Sequence, residues 1–139
     1  MHEDRFKSRL IDMMQLRPGM RLLDVGCGTG TLAIMIKQAY PQIQVTGLDG
    51  DPEILEMANK KTHDRGLEIK YDQGVAFALP YSEDYFDRVS SSMVMHHLTR
   101  ENKIQTFKEI RRVLKPGGEF HLVDFGPPRN MYTRLVSMV

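Results

Sequence analysis

The stretch RLLDVGCGTG, residues 21–30, decides the fold. Arg21-Leu22-Leu23-Asp24-Val25 is a short apolar run of strand length. It stops at Gly26-Cys27-Gly28-Thr29-Gly30, where alternate glycines free the backbone to turn. Leu32, Ile34, Met35, Ile36 and Ala39 then resume a helical texture, punctuated by Pro41. The order is strand, glycine loop, helix.

The same alternation continues outward. Residues 44–48 read as a second strand ending in Asp49, and Asp51 followed by Pro52 is an N-cap with proline at the first helical position. A helix is therefore predicted over 52–64, closed by Gly66. A third strand is expected over 67–71 and a fourth over 86–92. Thr99 then caps a helix over 100–114 whose apolar face is Ile104, Phe107, Ile110, Val113 and Leu114. Lys115-Pro116-Gly117-Gly118 turns the chain into a fifth strand, 119–125. Upstream, Phe6, Leu10, Met13 and Met14 fall at helical spacing within 3–15, before the turn signal Arg17-Pro18-Gly19. Strands alternating with helices of this length predict an α/β fold, a mostly parallel sheet covered on both faces. Met13, Met14, Met35 and Met57 lie on predicted helix faces and are read as core.

With 139 residues, 41% of them apolar and 27% charged, the chain is expected to form a single domain with an enclosed core. Nineteen basic against 18 acidic side chains leave a net charge of +1, too little to draw in a polyanion, so nucleic acid is not expected as a partner. Cys27 is the only cysteine, which excludes an internal disulfide and suits a reducing compartment. No apolar run approaches the ~20 residues that span a bilayer. The start, MHEDRFKSRLIDMMQ, lacks a signal-peptide pattern. A cytoplasmic location without membrane contact is the expectation.

A glycine loop at the C-terminal end of the first parallel strand is where such sheets bind nucleotides, with free N–H groups of the next helix facing negative charge. Alone it is a weak signal, since a tight packing turn has the same composition. Asp49 strengthens it, lying 19 residues past Gly30 at the end of the second strand, where a carboxylate can accept both hydroxyls of a ribose. Asp49 is not needed as a helix cap, a role filled by Asp51. A dinucleotide loop reads G-x-G-x-x-G, but its third glycine position is Thr31 here. The run is G-x-G-x-G, preceded by Asp24, which disfavours a nicotinamide oxidoreductase.

These residues carry a resemblance. LLDVGCGTG (22–30) resembles the first motif of class I S-adenosylmethionine-dependent methyltransferases, and VTGLDGDPEILEMA (45–58) is similar to their second. LPYSEDYFDRVSSSMVMHHL (79–98) resembles the region of their fourth strand, and RVLKPGGEFHLVDF (112–125) their turn and fifth strand. The likeness covers most of residues 16–125 in the family's order. It implies a Rossmann-like doubly wound sheet of strand order 3-2-1-4-5 and S-adenosylmethionine as cofactor, with no metal.

By the same resemblance, Asp24 answers the cofactor's ammonium and Gly26, Cys27, Gly28 and Gly30 line its methionine portion, Cys27 as a small filler. Asp49 takes the ribose, Gly50 leaves room for adenine, and Val75, Ala76 and Ser92 complete the set. Relatives often carry Gly-Asp-Ala where this chain reads Gly74-Val75-Ala76, so adenine recognition falls to backbone groups and apolar packing. Loss of that hydrogen bond costs about 0.5–1.5 kcal/mol. His96 and His97 are substrate-face candidates, a structural role being favoured for either, and no catalytic residue is assigned. Ser91 and Ser92 are expected to meet the cofactor through their backbone.

The family fold continues with a helix, a sixth strand and a seventh, antiparallel one inserted between the fifth and sixth. Only 14 residues follow Phe125, so both strands are expected to be missing, with 126–139 a truncated helix and 1–15 a lid over the cofactor. Strand 119–125 would then expose an edge, pointing to a truncated chain or a homodimer. The function expected is methyl transfer to a small-molecule acceptor, releasing S-adenosylhomocysteine. With Cys27 the only thiol, thiol-dependent metalloid methylation is disfavoured. The alternative is a catalytically weak or inactive cofactor-binding module, or a fragment of a larger methyltransferase.

Overall fold

The computed structural model describes residues 2–92, 97–124 and 131–136. In chain order the elements are α1 (His2–Met13), β1 (Arg21–Val25), α2 (Thr31–Ala39), β2 (Gln44–Asp49), α3 (Pro52–Asp64), β3 (Lys70–Gln73), β4 (Phe86–Ser92), α4 (Arg100–Val113), β5 (Leu114–Asp124) and β6 (Met131–Val136). They form one sheet in the order β3-β2-β1-β4-β5-β6. The first five strands are parallel and β6 runs antiparallel to β5.

Strand burial on both faces follows from the alternation of β1. Leu22 joins Val45 on one face and packs with Leu10, Ile11 and Met14 of the opening segment and with Leu32, Ala33 and Ile36 of α2. Leu23 and Val25 join Leu48, Val89 and Phe120 on the other face, under Ile110 and Val113 of α4. Both Leu22 and Leu23 are fully buried. Truncating a side chain such as Met14, also fully buried, is worth about 2–5 kcal/mol. The C-terminal part of α1 is therefore a wall of the core, and removing residues 1–15 would strip that wall.

Several expectations are corrected. The third strand begins at Lys70, not at 67, because Gly66 (φ +67°) ends α3 in a Schellman turn. There Gly66 N–H donates to His63 O at 2.9 Å and Leu67 N–H to Thr62 O at 3.2 Å. On α4 the buried stripe is Thr106, Ile110 and Val113, whereas Ile104 and Phe107 are rotated off it and half exposed. Phe107 keeps an edge-on contact with Phe120, ring centres 6.0 Å apart. Met13 and Met57 are exposed rather than core, while Met14 and Met35 pack as expected.

The largest correction is at the C-terminal end. Residues 131–136 form a strand, not the helix expected within 126–139, and the sheet has six strands, not five. Met-Tyr-Thr-Arg-Leu-Val is rich in aromatic and β-branched residues, and the open edge of β5 supplies its hydrogen-bonding partners. Its register runs from Glu119↔Val136 to Asp124↔Met131. Antiparallel to β5, it occupies the place that the resemblance gives to the family's inserted strand. The edge of β5 is thus covered within the chain, which removes the reason it offered for a homodimer. Among the described residues, no helix is long and apolar enough to cross a membrane.

Candidate functional site

The turn after β1 is made by glycines in the left-handed region, with φ of +72° at Gly26, +57° at Gly28 and +83° at Gly30. The N–H groups of Gly26 and Cys27 both donate to Leu48 O, at 2.7 and 2.9 Å, which docks the turn onto the end of β2. Gly30 caps α2 with no side chain to satisfy its first amides, so those amides are open to a ligand. An ideal Cβ at Gly28 would have no atom within 4 Å, whereas one at Gly47 would lie 2.8 Å from Cys27 Sγ and from the Tyr71 ring. The loop is packed from beneath and open above.

Asp49 closes the second wall. Its Oδ2 accepts from Gly28 N–H at 3.0 Å and its Oδ1 from Asp51 N–H at 3.0 Å. Asp51 in turn accepts from Glu53 N–H at 2.9 Å as the cap of α3. A carboxylate has about four lone-pair positions, so each Asp49 oxygen retains capacity for a hydroxyl. Gly50 is exposed, and Gly74 N–H donates to Asp49 O at 3.1 Å, bringing the 74–78 turn alongside. Val75 is 42% exposed at this rim and Ala76 is buried.

Asp24 is the unusual group. It is fully buried, its Oδ1 accepts from Ser90 Oγ at 2.8 Å, and its Oδ2 has no hydrogen-bond partner among the described residues. Burial pushes its carboxyl up to about 7, helped by the nearby Asp49 charge and opposed by the Ser90 hydrogen bond and the Lys7 ammonium. Burial, with Asp24 and Asp49 close by, also drives the Cys27 thiol well above its ordinary range. Cys27 is thereby neutral and unreactive, a filler beneath the loop.

Sequence reasoning missed four supports. Ser90 rather than Ser91 or Ser92 makes the polar contact: β4 places Ser90 opposite Asp24, whereas Ser91 is buried with its Oγ unpaired among the described residues. The backbone of Ser92 ends β4 opposite Val123, and its side chain lies outside the described residues. Tyr71 lies under the loop and shares a 2.8 Å hydrogen bond with Thr62, and Lys61 Nζ donates to Thr29 Oγ1 at 3.2 Å and Thr31 Oγ1 at 3.1 Å. The fourth support is the Glu109–Arg112 pair on α4, which clamps the rim. Glu109 Oε1 accepts from Leu79 N–H at 2.8 Å, and Arg112 donates to Tyr81 O at 2.7 Å and Leu79 O at 2.9 Å. Arg112 stands in the quoted RVLKPGG stretch, but nothing in the order of residues names its partners.

The structure thus gathers Asp24, Gly26, Cys27, Gly28, Gly30, Asp49, Gly50, Val75 and Ala76 around the C-terminal ends of β1–β3. His96 lies outside the described residues, and His97 is exposed in the turn before α4. A cavity of about 710 Å³ opens at the opposite ends of the strands, beside Gln44, Lys70 and Tyr85, and contains none of these residues. S-adenosylmethionine fits the donor set at the loop: a buried carboxylate oxygen without a partner for an ammonium, open backbone amides for a carboxylate, and a second acid for vicinal hydroxyls.

A family model described as "Methyltransferase domain" matches residues 22–118. Demethylmenaquinone methyltransferase of Thermus thermophilus is 35% identical over 124 residues, covering 89% of this chain and 56% of that protein. The ubiquinone/menaquinone biosynthesis C-methyltransferase UbiE of Serratia proteamaculans is 35% identical over 126 residues, covering 88% and 49%. Among solved structures, the YcgJ protein of Bacillus subtilis superposes with a TM-score of 0.78 at 31% identity, covering 85% of this chain and 49% of that one. The [4+2]-cyclase SpnF superposes with a TM-score of 0.82 at 31% identity, covering 87% and 44%. The chain spans about half the length of the relatives it matches.

Proposed function

The chain belongs to the class I S-adenosylmethionine-dependent methyltransferase family, and from that premise we propose that it transfers a methyl group to a small-molecule acceptor, releasing S-adenosylhomocysteine. The observation that carries this reading is the meeting of Asp24, with one oxygen unpartnered, the open glycine turn and Asp49 at one end of the sheet.

When bound, the cofactor supplies a methyl group activated by a sulfonium. The chain's contribution is position and charge. Asp24 answers the ammonium, the amides of the Gly26–Gly30 turn and of the start of α2 meet the carboxylate, and Asp49 accepts from the ribose. Val75, without a hydrogen bond to give, offers an apolar contact to adenine. The named activity of the Thermus and Serratia relatives makes a quinol ring carbon the first acceptor to assay. We place the reaction in the cytoplasm, a reading supported by the single buried thiol.

A second reading, cofactor binding without methyl transfer, is favoured by one observation: the cyclase SpnF shares this fold at 31% identity. Calorimetric titration with S-adenosylmethionine and S-adenosylhomocysteine, with NADH as control, tests the cofactor. Micromolar binding that Asp49→Ala abolishes supports the site, and no heat from folded protein rejects it. Formation of S-adenosylhomocysteine with an acceptor panel then separates transfer from binding alone.

A further inference from the structure

Across the sheet, one row of paired residues is polar on the side that faces α1 and α2. Gly47 pairs with Asp24, Asp24 with Ser90, Ser90 with His121 and His121 with Arg134. Asp24, Ser90 and His121 are each fully buried. A hydroxyl placed there has no packing advantage over a methyl group, so its hydrogen bond to Asp24 is the reason it is tolerated.

We propose that Ser90 is a positioning residue for cofactor binding: by occupying Oδ1 of Asp24, it fixes the carboxylate so that the unpartnered Oδ2 is the atom presented to the cofactor's ammonium. The inference rests on the reading of the site as an S-adenosylmethionine site. It goes beyond that reading by giving Ser90 a role that it exerts through its hydrogen bond to Asp24.

Other charged and titratable groups also surround Asp24. Asp49 at the end of β2 opposes its ionisation, and Lys7 on α1 favours it. Cys27 in the loop and Tyr71 on β3 are held neutral by burial, and each feels Asp24 as a neighbouring charge. His121, one strand beyond Ser90, is turned to Glu119 at 2.9 Å, and burial lowers its tendency to protonate. Ser90 donates a hydrogen bond to the carboxylate itself, at 2.8 Å. Without it, the ionised form of Asp24 loses a close donor and the carboxyl retains its proton to higher pH.

The test uses the full 139-residue chain and two probes, S-adenosylhomocysteine, which has the ammonium, and 5′-methylthioadenosine, which lacks the amino-acid part. Both are titrated calorimetrically into the native protein, Ser90→Ala and Ser90→Thr between pH 6 and 8.5. Ser90→Ala is expected to weaken S-adenosylhomocysteine about tenfold at pH 7, to leave 5′-methylthioadenosine within about twofold, and to shift the acid-side loss of affinity upward by about one pH unit. Ser90→Thr, which keeps the hydroxyl, retains the native preference for the ammonium-bearing probe, and a folded Ser90→Thr without that preference overturns the proposal even where Ser90→Ala fails to fold. Equal weakening of both probes, or native behaviour of Ser90→Ala, also overturns it while leaving the site reading intact. No binding of either probe to the native protein overturns both.

Discussion

The backbone N–H of Gly28 donates to Oδ2 of Asp49 at 3.0 Å, joining the glycine turn after β1 to the acid at the end of β2. The two features that the sequence separates by some twenty residues are thus one structural unit. Each holds the other where a ligand would meet both.

Asp49→Ala should therefore do more than remove a ribose acceptor. It frees the Gly28 and Asp51 amides, which loosens the turn, and it removes the acceptor of the two ribose hydroxyls. Loss of two hydrogen bonds to a charged group, at about 1.5–3 kcal/mol each, predicts at least a hundredfold loss of S-adenosylhomocysteine affinity. Calorimetric titration measures it, and Asp49→Asn should retain part of the affinity by keeping one acceptor.

Burial of Asp24 has a pH signature. Its folded-state value of about 7 lies above the ordinary 3.8, so the native state binds more protons than the unfolded one between those values. On this group's account, stability is greatest below about pH 4 and falls as pH rises toward 7, a change on the order of 1–4 kcal/mol. An ammonium beside Asp24 reverses the penalty. The gain in Tm from saturating S-adenosylhomocysteine should be larger at pH 8 than at pH 6, and a pH-independent gain would count against this assignment of Asp24.

Arg112 joins α4 to the rim that carries Val75. Arg112→Ala leaves the Tyr81 and Leu79 carbonyls without their guanidinium donor and is expected to cost about 1–3 kcal/mol in urea unfolding. If the rim meets the adenosine end of the cofactor, as proposed, it should weaken 5′-methylthioadenosine as much as S-adenosylhomocysteine. Arg112→Lys should not restore it, since a single ammonium cannot span carbonyls that two guanidinium nitrogens reach.

Two glycines separate packing from binding. Gly47→Ala drives a methyl against Cys27 and Tyr71 and should destabilise the fold by about 1–3 kcal/mol. Gly28→Ala meets open space and bears only the strain of φ +57°, about 1 kcal/mol, while its methyl enters the ligand's space. Thermal melts should rank Gly47→Ala as the less stable, and ligand titration should rank Gly28→Ala as the weaker binder.

Val75 is 42% exposed, so Val75→Asp should fold normally. If Val75 faces adenine, the new acceptor tightens cofactor binding by up to about tenfold. Unchanged affinity in a titration would place Val75 away from the base.

The order of residues by itself determined the alternation of strands and helices, the glycine turn and the acids beside it, because hydrophobic period, Gly and Pro punctuation and N-caps such as Asp51 and Thr99 are local signals. The order of the five parallel strands was legible only through the resemblance of the four motifs to a known family. It did not determine β6, whose strand character depends on the edge that β5 offers, nor the exposure of Ile104 and Phe107, which depends on how α4 rolls against the sheet. Only the tertiary structure decided that Ser90 holds Asp24, and that Glu109 and Arg112 hold the rim at Leu79 and Tyr81. Such contacts join residues 66 or about thirty positions apart through strand register and helix docking, and no local pattern in a chain encodes a register.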